Sequence, residues 1–377
     1  MDHDRQWRRS TGLIWLARAC GIGALAALVG CSSGGGGGNG EGFMQTNLVS
    51  NQNGKAPVTD AKLVNAWGLA STASGPWWVA NNHSGTSTLY DGNGMPFPPT
   101  GALVVTIPPP ADSPPGTVAA PTGIVVNTSS DFVVTENSAS APALFLFATE
   151  DGTISGWSQP VDVTSAILAV DNSSDEAIYK GLAIGSDGGS SRLYASNFHA
   201  GRVDVFDGDF APVEGRGFVD SSIPAGFAPF GMQNIGGAIF VTYAKQDSDK
   251  EDDMPGPGNG YVDVFDTAGN LVRRFASQGQ LNSPWGVVEA PLSFGKFGGM
   301  IIIGNFGDGH LNAFDPITGA FQGQLNQPNG ATVIIEGLWG LAFGNDGSAG
   351  SADVLYFTAG PNDEANGLFG MLTAVGG

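Results

Sequence analysis

Beyond about residue 42 the chain reads as short apolar runs that stop at glycine, proline, asparagine or aspartate. "VDVFDGDF" at 203–210 shows the pattern: a strand with alternating inward residues, ending in an Asp-Gly turn. The unit returns as "VDVFDTAGN" at 262–270, "LNAFDPITG" at 311–319 and "STLYDGNG" at 87–94. "LFLFATEDG" at 144–152 reads as a fifth copy that has lost the Asp after its aromatic. A second landmark precedes each copy, one residue, then Gly, then an aliphatic. It occurs at Trp67-Gly68-Leu69, Thr122-Gly123-Ile124, Lys180-Gly181-Leu182, Phe230-Gly231-Met232, Trp285-Gly286-Val287 and Trp339-Gly340-Leu341.

These six glycines are 55, 58, 50, 55 and 54 residues apart. Six such units, each with room for four short strands, predict an all-β, six-bladed β-propeller. Glycine recurs where the backbone must approach closely near the crowded axis. The last unit supplies only three strands before Gly377, and "FMQTNLVS" at 43–50 precedes the first unit without a blade of its own. We therefore expect 43–50 to pair as the outer strand of the last blade, closing the ring and removing its exposed edges.

Composition agrees with many short strands: 59 Gly, 23 Pro and 22 Phe, with 13% charged residues. Net charge is −20, and residues after 30 hold 33 acidic against 11 basic side chains. That surface repels phosphate backbones, so nucleic acid is excluded as a partner. The acidity serves solubility, with calcium or a cationic ligand as the alternative use.

The first 30 residues differ in kind. Arg5, Arg8 and Arg9 form a positive region, and Ala19 to Val29 is an uncharged run too short to span a bilayer. This pattern predicts an export signal over 1–30. Leu28-Val29-Gly30-Cys31 resembles the lipobox of bacterial lipoproteins, which implies cleavage before Cys31 and its lipidation. Residues 31–42, with Gly34 to Gly38, then form a flexible tether, and 43–377 the propeller. Cys20 would leave with the signal, so the folded domain has neither disulfide nor thiol catalyst. The expected location is the cell envelope, outer membrane or cell surface, with membrane contact through the lipid alone and a monomeric state.

The Val-Asp-Val-Phe-Asp pattern with a following Gly resembles NHL-type six-bladed propellers. "NLVSNQNGKAPVTDAKLVNAWGLA", "YAKQD", "GPGNGYVDVFD" and "SPWGV" resemble an uncharacterised bacterial family of exported propeller proteins. The resemblance covers roughly 43–377. It implies the fold and no activity.

In a propeller the loop leading into each blade's first strand and the loop between its second and third strands open on one face. The first set places Trp67, Lys180, Phe230, Trp285 and Trp339 at that face. The second set is "NNHSG" at 81–85, "ENSAS" at 136–140, "NFHAG" at 197–201, "AKQD" at 244–247, "NFGDG" at 305–309 and "GPND" at 360–363. Asn81, Asn197 and Asn305 occupy one equivalent position, and His83 and His199 another; His310 is out of register. His83 and His199, helped by Glu136 or His310, could hold zinc or iron near the axis. The plainer reading is that these polar groups cap turns. The Trp positions serve either as core between blades or as stacking platforms for flat ligands. "AKQDSDKEDDMPGPGNG" at 244–260 is an acidic insertion; its spacing fails an EF-hand, though Lys245, Asp247 and neighbours could bind a ligand or calcium in another geometry.

No Gly-x-Ser-x-Gly elbow, His-Glu-x-x-His, phosphate loop or paired cysteine motif occurs. Two functions follow. One is a lipid-anchored binding or scaffold module that presents its top face to a protein or glycan. The other is a metal-dependent hydrolase or lyase with its site at the axis.

Overall fold

The computed structural model describes residues 40–215 and 217–376; the predicted signal, Cys31 and most of the tether lie outside them. Six antiparallel sheets stand around one axis. Blade one is Ala66–Ala70, Trp77–Asn81, Thr86–Tyr90 and Val104–Thr106. Blade two is Pro121–Val126, Phe145–Thr149, Thr153–Trp157 and Ile167–Asp171. Blade three has three strands, Tyr179–Asp187, Ser190–Asn197 and Arg202–Asp207. Blade four is Phe227–Ile235, Ala238–Lys245, Gly260–Phe265 and Leu271–Ser277. Blade five is Pro284–Glu289, Ile301–Asn305, Leu311–Phe314 and Phe321–Gln324. Blade six is Leu338–Phe343, Leu355–Ala359 and Leu368–Val375.

The first strands meet around the axis, and here the six glycines act together. A Cβ on Gly68 would sit 2.4 Å from the Thr122 carbonyl oxygen, and one on Gly231 2.1 Å from that of Trp285. At Gly340 it would sit 2.6 Å from the Trp67 oxygen, which joins blade six to blade one. Gly123, Gly181 and Gly286 meet the backbone of the next blade equally closely. Hydroxyls reinforce these joints. Thr122 Oγ1 donates to the Tyr179 carbonyl at 2.6 Å, Ser196 Oγ to that of Phe230 at 2.6 Å, and Thr358 Oγ1 to that of Trp67.

Outside this inner ring, apolar side chains fill the space between neighbouring blades. Leu146, Tyr179, Leu193 and Phe206 pack between blades two and three, and Val262, Phe275, Ile303 and Phe314 between four and five. The first Asp of the repeat turns inward as a polar anchor. Asp204 accepts from Asn197 Nδ2 at 2.8 Å and Tyr179 OH at 3.1 Å, while the fully buried Asp263 accepts from Arg274 Nε at 2.5 Å.

Closure follows the expected route. Gly42–Ser50 pairs antiparallel with Leu368–Val375 as an outer strand of blade six, from Gly42 opposite Val375 to Ser50 opposite Leu368. Phe43 enters the core between blades five and six, stacked on Phe297 at 5.8 Å. A short strand, Val58–Thr59, lies parallel beyond it.

Two expectations are corrected. Among the described residues blade three has no fourth strand; after Asp207 the chain makes only a bridge at Pro212 before blade four. In blade two, Phe145–Thr149 is the second strand rather than the third. A separate hairpin, Val133–Glu136 with Ala139–Pro142, fills the first-to-second connection and displaced the register read from sequence.

Gly340→Ala should therefore lower unfolding stability by about 2 kcal/mol or more through backbone overlap at the closing joint. Gly101→Ala, with nothing within 4 Å of its Cβ, should stay within about 0.5 kcal/mol of the parent. Urea unfolding of both variants checks the contrast.

Candidate functional site at the mouth of the ring

The residues before the glycines converge on the axis. Trp339 is sandwiched between Trp67, with ring centroids 3.6 Å apart, and Phe306, at 4.0 Å. Trp285 meets both tryptophans edge-on, at 6.0 Å from Trp67 and 5.8 Å from Trp339. Phe198 and Phe230 complete the plug. Trp67 and Trp339 are each 1% exposed, so they are packing residues rather than the stacking platforms considered from sequence. Only Trp285 and Phe306 keep half-buried surface.

Lys180 is the exception in this aromatic set. Its residue is 2% exposed, and its ammonium lies over the Trp67 ring at 5.4 Å and the Phe198 ring at 5.8 Å. Burial alone favours the neutral amine. Glu150, in direct contact, and Asp252, at 3.1 Å, outweigh it and hold the ammonium well above the usual lysine range. Such a lysine is a fixed cation, not a nucleophile.

The shell around it comes from other blades. Asn82 Nδ2 donates to Glu150 Oε2 at 2.8 Å. Asn65 accepts from Trp339 Nε1 at 3.0 Å and donates to Glu364 Oε2 at 2.5 Å. Burial, then the charge of Glu150, pushes the Glu364 carboxyl up to about 8; Lys180 and Asn65 oppose that rise, and Asp252 adds a smaller push upward. Burial also raises Asp253 to about 6, against the pull of Lys180. It raises Asp151 to about 6 as well, against a 2.8 Å hydrogen bond from the Ala120 N–H. The arrangement is a buried cation ringed by more carboxylates than it can neutralise.

The residues predicted from sequence divide sharply. Asn81, Asn197 and Asn305 are buried and bonded within their own blades: to Thr88 at 2.9 Å, Asp204 at 2.8 Å and Asp308 at 3.0 Å. They are turn and strand anchors. His83 is exposed, 3.5 Å from Asn65 Nδ2, whereas His199 Nε2 faces Glu176 at 3.8 Å. His310 Nδ1 lies 3.2 Å from Asp308. The three histidines thus have separate neighbours. Among the described residues no three His, Cys, Asp or Glu side chains gather to hold a metal.

The expected position of Glu136 is corrected. It ends the first strand of the inserted hairpin, at the opposite end of the blade from the second-to-third turn. The second-to-third turn is Glu150 to Gly152, and it carries the carboxylate that meets Lys180. Lys245 ends its strand half-buried, and Asp247 Oδ1 accepts the Glu251 N–H at 3.0 Å, shaping the acidic loop. Asp252, further along that loop, is the residue that reaches Lys180. Glu364 follows directly on the "GPND" turn and had no mark in the sequence beyond that position.

No protein-family model matches the chain. It is 33% identical over 334 residues to an uncharacterised protein of Acanthamoeba polyphaga mimivirus, covering 86% of this chain and 78% of that one. A second uncharacterised protein of the same virus is 32% identical over 333 residues, covering 86% and 84%. Among solved structures, a Bacteroides thetaiotaomicron protein of unknown function superposes with a TM-score of 0.52 at 10% identity, covering 88% of this chain and 76% of that one. Virginiamycin B lyase from Staphylococcus aureus gives a TM-score of 0.49 at 12% identity, over 89% and 100%. At 10% identity the likeness to the Bacteroides protein speaks for the fold alone.

The raised carboxyls set the pH response of stability. A folded-state pKa above the unfolded value gives stability that is complete at low pH and lost as pH rises through the folded value. Asp151, Asp253 and Asp263, each near 6, act in the lower part of the range and Glu364, near 8, in the upper. The carboxylates with lowered values, such as Asp162 and Asp315, act only in acid below this window. The urea midpoint should therefore fall as pH rises from about 5 to about 9. In Glu364→Gln the upper limb should flatten; a midpoint that climbs over this range would contradict the electrostatics described.

Proposed function

As the chain belongs to the same family as the two mimivirus proteins, we propose that it is a binding propeller, exported and lipid-anchored through Cys31, that presents its top face to a partner. One observation carries the reading: Lys180, Glu150, Asp252 and Glu364, drawn from blades three, two, four and six, meet at the mouth of an already filled axis. Closure of the ring is served by glycines, hydroxyls and aromatics. Burying surplus charge opposes folding, and perturbed carboxyls of this kind concentrate at functional sites.

The features favour binding over chemistry. The lysine is held charged, and the plug leaves Trp285 and Phe306 as the apolar floor. The alternative, a metal-dependent hydrolase or lyase at the axis, lacks a gathered ligand set among the described residues. The arginine-rich start, the short apolar run and Leu28-Val29-Gly30-Cys31 support export and anchoring of the bacterial lipoprotein type.

Two outcomes test this. Cys31→Ala should abolish lipid labelling and move the protein from the membrane to the soluble fraction; unchanged labelling defeats the anchor. Cross-linking of the full chain in envelope preparations should give partner adducts that Glu150→Gln/Asp252→Asn loses. Asp209→Asn, an exposed change in the turn that follows the third strand at the other end of blade three, should retain them. Equal adducts from both variants would remove the top face from the proposal.

A further inference from the structure

The charge balance at the mouth says what kind of partner fits. Lys180 supplies one positive charge, and both Glu150 and Asp252 touch it. One carboxylate is thus in excess before Glu364 is counted. The accessible atoms at this seat are oxygens: the Asp252 side chain is 75% exposed and that of Glu150 20%, while the ammonium they share is enclosed. The floor is aromatic, with half-buried Trp285 and Phe306. Trp67 lies under the ammonium, so the enclosed cation is itself held against this floor.

Carboxylate oxygens above aromatic rings suit a planar, delocalised cation, which takes two parallel hydrogen bonds and lies on a ring face. Guanidinium answers this description better than a compact ammonium. The chain as a whole, at −20, attracts a basic partner from a distance and steers it towards an acidic mouth. Resting on the binding role proposed above, we infer that the mouth captures a basic polypeptide segment by seating an arginine side chain against Glu150, Asp252 and Glu364 over the aromatic plug.

This seat couples to a proton. Glu364 faces Glu150, Asp252 and Lys180 as charged neighbours, with the Asn65 amide bonded to it and His83 beside Asn65. Its carboxyl is held protonated at neutral pH by burial and by Glu150, and an arriving cation favours the ionised form. Arginine stays charged throughout. Binding near pH 7 should then release about one proton, and affinity should rise towards pH 9.

The experiment uses the full-length chain and a fluorescein-labelled Gly-Gly-Arg-Gly-Gly peptide in low salt, read by anisotropy. A matching peptide carries citrulline, the neutral isostere, in place of arginine. The arginine peptide should bind roughly tenfold tighter than the citrulline peptide, and calorimetry in two buffers at pH 7 should report the released proton. Glu364→Gln should remove the proton release and the rise of affinity with pH, with its thermal unfolding confirming a folded chain. Asp209→Asn, with the same charge change away from the mouth, should bind like the parent. Equal binding of the two peptides overturns the inference, as does an equal loss in Asp209→Asn and Glu364→Gln. If the peptides bind alike while adducts still depend on Glu150 and Asp252, the ligand class alone is wrong; if neither depends on the mouth, the binding role fails with it.

Discussion

The ring exists because six glycines let the first strand of each blade press on the backbone of the next. At Gly231 the space for a methyl group is 2.1 Å from the Trp285 oxygen, far inside van der Waals contact. No side chain fits, so the spacing of the blades at the axis is set by backbone against backbone. Everything farther out follows from that spacing. The interblade cores have room for Leu, Phe and Tyr because the sheets diverge from a tight centre, and the residues before each glycine are forced together at one end of the axis.

That constraint explains what could be read from the sequence. A glycine needed six times leaves a period of about 54 residues, and the period gives blade number, strand budget and the role of 43–50 together. Blade three shows the limit: "VDVFD" at 203–207 repeats "VDVFD" at 262–266, yet among the described residues the chain that follows makes only a bridge at Pro212 before blade four. Blade two shows another. The inserted hairpin at 133–142 mimics a pair of blade strands, so Glu136 was assigned to the mouth when Glu150 belongs there. Counting forward from Gly123 alone cannot separate the two, because both segments are short apolar runs ended by an acidic turn.

The site was less legible than the fold for a physical reason. Lys180 was placed at the top face by its position before Gly181. Its partners come from three other blades, and nothing local to Glu364 sets it apart from the carboxylates that merely close turns, such as Asp91 or Asp315. The asparagine and histidine columns were the reverse case. Their regular spacing reflects a recurring turn geometry, in which Asn197 bonds the Ala200 N–H as well as Asp204. Repetition in this chain marks what every blade needs to fold, and the residues that meet Lys180 stand outside that repetition.

The plug also limits where function can lie. With Trp67 and Trp339 stacked and buried, aromatic side chains fill the axis at this end. At the rim, a cation fixed beneath carboxylates has two consequences. It holds Glu150 and Asp252 in place, since each answers the ammonium, and it leaves the exposed Asp252 side chain open to water. Lys180 is therefore better understood as the pin that positions an acidic rim than as the group that meets a ligand. The aromatic floor lowers the local dielectric, which strengthens whatever charge the rim encounters. A propeller built on repetition thus places an asymmetric feature, a buried charge with an excess of partners, at the point where all six blades come closest.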